Sequence, residues 1–168
     1  MFLVKEIYYT LQGEGARSGR PAVFCRFAGC NLWTGRERDR KNAVCNFCDT
    51  DFVGLDGPGG GKFKDAQEIS DAIDSVWPKD EEKKYVVLTG GEPALQVNEF
   101  FIDKLHDAGF EVAIETNGTL PLPPNLDWVT VSPKSNSVLE ITSGDELKLV
   151  FPQEGVDPNS FQKLIFKN

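Results

Sequence analysis

The fold is decided by Tyr85-Val86-Val87-Leu88-Thr89-Gly90-Gly91-Glu92-Pro93 and by the helix pattern behind it. Tyr85 to Thr89 is a short apolar run of the kind that forms a buried strand, and the Gly-Gly-Glu-Pro turn stops it. Behind the turn Leu95, Phe101, Leu105 and Ala108 mark a helix that Gly109 closes. A strand, turn and helix in this order is the unit from which α/β sheets are built. Downstream, Glu111 to Asn117 alternates, with Val112 and Ile114 on one face and Ala113, Glu115 and Asn117 on the other. Upstream, Asp65 caps a helix with Glu68 as its capping-box partner, and Ala66, Ile69, Ile73, Val76 and Trp77 make an apolar face that ends at Pro78. Leu3 to Thr10 and Pro21 to Gly29 read as strands. In the second, Val23, Cys25 and Phe27 share one face and Ala22, Phe24, Arg26 and Ala28 the other. Trp128 to Ser132 and Glu146 to Phe151 add strands, and Leu164 to Phe166 begins another. Thr119 to Asp127 has three prolines and no helical period, so one strand connection lacks a helix. The pattern predicts a parallel α/β sheet forming an incomplete, irregular TIM-barrel-like fold, a single domain over 1–168. Its ligand site is expected at the carboxyl edge, where Thr89, Glu115, Asn117, Ser132 and Lys134 recur.

A chain of 168 residues and 18.6 kDa suits one domain that buries roughly 70% of its unfolded surface. With 40% hydrophobic and 26% charged residues it is neither disordered nor fibrous. A net charge of −8 argues against gripping a nucleic-acid backbone by bulk electrostatics. No apolar run approaches the ~18 residues of a membrane span, and Met1 to Glu6 lacks the order of a signal peptide, so the reading is a cytoplasmic protein with neither nucleic acid nor membrane as partner. The single His106 sits in a helical pattern with no nucleophile motif nearby, as a surface histidine would, which speaks against a histidine-based hydrolase or a multi-histidine zinc enzyme.

Four cysteines, Cys25, Cys30, Cys45 and Cys48, lie within 24 residues. In a reducing compartment such clustering serves metal or redox chemistry more often than disulfides. Three of them fall as Cys30-x14-Cys45-x2-Cys48 in a loop of about 30–64 that carries no regular pattern. Three thiolates can hold a 4Fe-4S cluster with one iron open, whereas electron-transfer clusters normally use four. Recruiting Cys25 would instead give a four-thiolate zinc site, although its face neighbours Val23 and Phe27 suit a buried thiol. A redox pair Cys45/Cys48 is the third reading.

The order of motifs extends well beyond the cysteines. Leu11-Gln12-Gly13-Glu14-Gly15, Phe24 to Trp33, Cys45-Asn46-Phe47-Cys48-Asp49-Thr50, Thr89-Gly90-Gly91-Glu92-Pro93, Glu115-Thr116-Asn117-Gly118 and Ser132-Pro133-Lys134 succeed one another along the chain. In this the sequence resembles the radical S-adenosylmethionine (SAM) superfamily, and within it the family of 7-carboxy-7-deazaguanine synthases, whose variants include a fourteen-residue insertion between the first two cysteines. The resemblance implies a lyase of queuosine and 7-deazapurine biosynthesis that contracts 6-carboxy-5,6,7,8-tetrahydropterin to 7-carboxy-7-deazaguanine with loss of ammonia. It implies a 4Fe-4S cluster, SAM and Mg2+ as cofactors, a flavodoxin- or ferredoxin-type electron donor, and a homodimer. In such enzymes the reduced cluster cleaves SAM and the resulting 5′-deoxyadenosyl radical takes a substrate hydrogen, so no catalytic side chain acts as a general base.

Carried over by position, Cys30, Cys45 and Cys48 hold the cluster and Thr50 the magnesium, as an oxygen donor suited to that ion. Phe47, Cys48, Asp49, Gly90, Gly91, Glu115, Asn117, Ser132, Pro133 and Lys134 contact SAM. Leu11, Gln12, Gly13, Glu14, Arg26 and Thr89 contact the pterin, with Arg26 on its carboxylate. The bland alternatives are a structural ion pair for Arg26, a solvated strand residue for Glu115, a turn cap for Asp49, and a solvated face, or a surface for an acidic electron donor, for Arg36 to Lys41. Rival functions are another radical SAM activity, such as an activating enzyme, and a non-catalytic zinc module. Arg26 and Gln12-Gly13-Glu14 discriminate against the first, and the brown colour of an iron-sulfur protein on anaerobic purification against the second. The family's Gln-Pro-Met-Asp segment, further helix and substrate-holding tail have no counterpart up to Asn168, so SAM binding is expected to be better supported than pterin turnover.

Overall fold

Alternation along each strand decides which side it buries, and two helices cover only one side. The computed structural model describes residues 1–79 and 83–168. Its strands in chain order are β1 (Phe2–Leu11), β2 (Pro21–Phe27), β3 (Gly61–Phe63), β4 (Tyr85–Gly90), β5 (Glu111–Thr116), β6 (Trp128–Val131), β7 (Ser143–Gly144), β8 (Glu146–Leu147) and β9 (Ile165–Phe166). Helix α1 (Ala66–Ser75) precedes β4, and α2 (Glu99–Asp107) comes after it. Seven strands form one sheet in the order β3-β1-β2-β4-β5-β6-β8, and β7 pairs with β9 in a small parallel sheet of their own. From β2 to β8 every neighbour is parallel. β1 runs antiparallel to β3 and to β2, to which the short link from Gln12 to Arg20 joins it with no room for a crossover helix. The architecture is an incomplete TIM-barrel-like α/β fold.

Val4, Val23, Cys25, Phe27, Val86, Leu88, Val112 and Ile114 project to the helix side. There they meet Ala66, Ile69 and Ile73 of α1 and Phe101, Ile102 and Leu105 of α2. Asp65 caps α1 by accepting from the Glu68 amide at 3.0 Å. Glu68 returns the bond to the Lys64 amide at 2.7 Å, one residue earlier than a standard box. Asn98 caps α2 on the Phe101 amide, which starts that helix after a separate 3-10 turn at Pro93–Leu95. Leu95, expected on the apolar face of α2, therefore lies outside the helix and is exposed. The strand expected from Glu146 to Phe151 stops at Leu147: Lys148 makes one more bond, to the Val131 carbonyl, and the chain then leaves the edge with Val150 and Phe151 exposed.

Among the described residues no α-helix covers the opposite face. At its amino end it packs Ala22, Tyr85, Val87 and Ala113 with Phe24 and Trp128. The 3-10 turn Gly15–Arg17 closes that end: Arg17 stacks on Trp128 and Arg20 on Tyr85, and both pair with Glu111 at 2.6 Å. Above this plug the inner face opens at the carboxyl ends of the strands. Among the described residues no helix is long and apolar enough to cross a membrane.

Candidate active site

Strand register assembles the floor of the site. Arg26 lies beside Thr89 across β2 and β4, and Glu115 beside Thr130 across β5 and β6. Thr89 reaches Glu115 with its hydroxyl at 3.4 Å, so Arg26, Thr89 and Glu115 form one row across the open face. Above them is a cleft of about 530 Å³. Every residue that the sequence assigned to cluster, magnesium, SAM or pterin lines it, apart from Pro133. Pro133 faces a smaller neighbouring cavity, and its carbonyl accepts from Gln153.

The Cys30 thiol, half-buried and raised by burial, takes a hydrogen bond from the Leu32 amide at 3.4 Å. Cys45 and Cys48 share a hydrogen bond that raises the Cys45 thiol and lowers Cys48 to about 6, helped by the Thr50 amide and hydroxyl. Cys25 is wholly buried on the other side of β2, and burial pushes its thiol up. It cannot join the other three, which removes the fourth ligand of the zinc reading. Among the described residues no three Cys, His, Asp or Glu side chains converge on a point suited to one metal ion. Cys30, Cys45 and Cys48 instead line one cleft together. Its wall includes Trp33, which is 7% exposed and whose indole N–H has no hydrogen-bond partner. Gly91 shapes the same wall: a Cβ there would lie 2.0 Å from the Gly29 carbonyl oxygen and 3.0 Å from the Cys30 Cβ. Three cysteines on one cleft, a buried donor without a partner and a close backbone approach fit a multi-iron group better than a single ion.

Glu92 is fully buried and does not face the cleft. Its carboxylate accepts from the Ala94 amide (3.0 Å), the Thr116 hydroxyl (2.7 Å) and the Asn117 amide (2.8 Å), which ties the turn after β4 to the end of β5. Burial raises its pKa, and these donors work against that rise. Asn117, so positioned, donates to Asn31 at 3.0 Å, beside Cys30. Glu115 is divided from it. Gln12 donates to Glu115 at 3.0 Å, and Lys148 bridges Glu115 (3.3 Å) and Glu14 (3.0 Å). The two residues expected together on SAM thus belong to different hydrogen-bond groups, Asn117 with the cysteine loop and Glu115 with Gln12, Glu14 and Thr89. Arg26 pairs with Glu6 at 2.8 Å and donates to the Tyr8 hydroxyl at 3.3 Å. Burial opposes its charge, but these partners more than offset that. Arg26 also lines the cleft, so the ion pair and a ligand role are compatible. Lys134 is lowered by burial and sits near the Cys45 and Cys48 thiols.

Sequence reasoning missed Glu92, Lys148, Lys5 and Arg40. Lys148 is signalled by a charge inside Leu147-Lys148-Leu149-Val150. Lys5 is buried at a register shift in β1 and holds Asp51 (2.9 Å), Asp56 (2.8 Å) and the Val53 carbonyl (2.9 Å), anchoring the returning cysteine loop. His106 lies away from the cleft, bonded to Asp127 at 2.8 Å.

An α/β sheet with three loop thiols over a glycine-walled cleft defines the class: the chain belongs to the radical SAM superfamily, whose family model matches residues 40–137. The 7-carboxy-7-deazaguanine synthases of Nitratidesulfovibrio vulgaris, Bordetella pertussis and Burkholderia multivorans are 62%, 59% and 58% identical to it, over 98%, 99% and 99% of this chain and 78%, 80% and 79% of their own. Within the superfamily the chain belongs to the family of 7-carboxy-7-deazaguanine synthases. The crystal structure of QueE from Escherichia coli superposes with a TM-score of 0.59 at 29% identity, covering 81% of this chain. This chain spans 61% of that one.

Proposed function

We propose that this cleft contracts 6-carboxy-5,6,7,8-tetrahydropterin to 7-carboxy-7-deazaguanine with release of ammonia, in queuosine and 7-deazapurine biosynthesis. Family membership supports the reading, and one observation carries it to these residues: Gln12, Gly13, Glu14, Arg26 and Thr89 share a single cleft with Cys30, Cys45 and Cys48. When bound, the cluster and SAM supply the one-electron chemistry that starts the reaction. Cys30, Cys45 and Cys48 hold the cluster. Phe47, Asp49, Gly90, Gly91, Asn117, Ser132 and Lys134 form the SAM wall, where the glycines admit close backbone contact. Arg26 fixes the pterin carboxylate, while Glu6 and Tyr8 fix Arg26. Glu14 and Glu115, the latter expected on SAM from the sequence, both pair with Lys148 and accept from the ring N–H groups. Thr50 supplies an oxygen to magnesium, with substrate and water completing the shell. A flavodoxin- or ferredoxin-type protein supplies the electron.

Anaerobic reconstitution with iron and sulfide tests the proposal. The expected product is a brown protein whose reduced cluster changes its electron paramagnetic resonance signal on addition of SAM. Thr50→Ala should keep that change and flatten the magnesium dependence of turnover. A colourless protein, or a cluster indifferent to SAM, contradicts the reading.

A further inference from the structure

Arg36 to Lys41 is a charged run in which one member turns inward. The 3-10 segment Glu37–Asn42 presents Arg40 to the cysteine loop, and one terminal nitrogen donates to both the Asn46 carbonyl (2.9 Å) and the Cys48 carbonyl (3.0 Å). The guanidinium lies 4.1 Å from the centroid of the buried Trp33 ring, and Trp33 lines the cleft beside the thiols. Its Nε donates to Glu37 at 2.8 Å, and a second contact joins the same carboxylate. A planar fork that stacks on an aromatic face and caps two carbonyls at once is a task that lysine cannot copy.

We propose that Arg40 is a positioning residue for the iron-sulfur cluster: it pins the Cys45-Asn46-Phe47-Cys48 loop through the two carbonyls and keeps a fixed positive charge beside the thiolates, which raises the cluster's reduction potential. The inference rests on the assignment of Cys30, Cys45 and Cys48 as cluster ligands. The Glu37 side chain is 77% exposed and that of Arg40 30% exposed. Water therefore screens the carboxylate more than the guanidinium, and a net positive field is left on the loop side. Reduction adds one negative charge to the cluster, and net charge and hydrogen bonding tune such potentials.

The test is an electron-paramagnetic-resonance redox titration of the reconstituted full chain and its Arg40→Gln, Arg40→Lys and Glu37→Gln variants, with iron and sulfide content measured alongside. Arg40→Gln should lower the equilibrium constant for one-electron reduction about tenfold, ~59 mV to the negative side. Arg40→Lys should retain most of the potential and lose iron faster, because it keeps the charge without the fork. Glu37→Gln, which leaves the loop contacts intact, should shift the potential the opposite way from Arg40→Gln. If Arg40→Gln does not fold, the Glu37→Gln shift decides. Unchanged potentials in the folded variants, or shifts of the same sign in Arg40→Gln and Glu37→Gln, overturn the proposal. Failure of the wild-type chain to bind iron overturns the ligand assignment itself, and that outcome is distinct from an unchanged potential.

Discussion

Cys25 and Arg26 are neighbours in sequence that strand pleating sends to opposite sides of the sheet, one into the helix-covered core and the other onto the open face. The same parity separates Cys25 from the three loop thiols. Cys30→Ala, Cys45→Ala and Cys48→Ala should each lose iron on anaerobic reconstitution. Cys25→Ala should retain it, at a cost of ~1 kcal/mol for one buried atom removed. Elemental analysis of the four variants checks this, and loss of iron from the Cys25 variant alone would reverse the assignment. Period-two patterning made this much legible. Glu92 was not legible, because its three donors come partly from β5, which only the parallel crossover brings beside the turn. Arg40 was hidden for a different reason: a charged run looks solvated until the loop around it folds back.

At the scale of elements, the turn after β4 is the most constrained piece of backbone. Gly90 has φ 128°, and a Cβ on it would lie 2.3 Å from the Phe27 carbonyl oxygen. Gly91 presses on Gly29 and Cys30, so its amide bonds the Phe27 carbonyl at 3.2 Å and the Glu92 amide bonds the Gly29 carbonyl at 2.9 Å. Gly91→Ala must push this turn away from the cysteine loop. We expect a loss of about 1–3 kcal/mol in urea unfolding, together with a weakened SAM response of the cluster. Unchanged stability would mean that the backbones do not approach this closely. Helix α1 and strands β1, β2, β4, β5 and β6 were legible because each combines a clear period with a strong stop signal, whereas β3 lies inside the loop of about 30–64 that shows no regular pattern. The displaced Leu95 and the short β8 were not. Both lie where a segment changes conformation: Pro93 opens a separate 3-10 turn, and Lys148 turns its side chain into the cleft instead of extending the strand.

For the whole molecule, an open half-barrel needs its unused end closed, and Arg17, Arg20 and Glu111 close it over Tyr85 and Trp128. Glu111→Gln leaves two guanidiniums short of a carboxylate and should cost about 1–2 kcal/mol at pH 7. The hydrogen bond from Arg20 lowers the Glu111 pKa below its usual 4.5, so the native protein favours the ionised form. The stabilisation is therefore complete above 4.5 and is lost as pH falls through the lowered value. Urea unfolding of wild type and variant should show a constant gap from about pH 7 to 5 that narrows in more acid solution; a gap that widens there contradicts the pairing. The proposed joining of a cluster loop and a pterin floor in one cleft is tested most directly by turnover. Reconstituted protein given SAM, magnesium, a reductant and 6-carboxy-5,6,7,8-tetrahydropterin should release 7-carboxy-7-deazaguanine and ammonia in equal amounts by mass spectrometry and ammonia assay. Arg26→Gln should still cleave SAM but make deazaguanine about 10- to 100-fold more slowly. SAM cleavage by the wild-type chain with no deazaguanine formed, or an Arg26 variant that turns over as fast as wild type, would contradict the account.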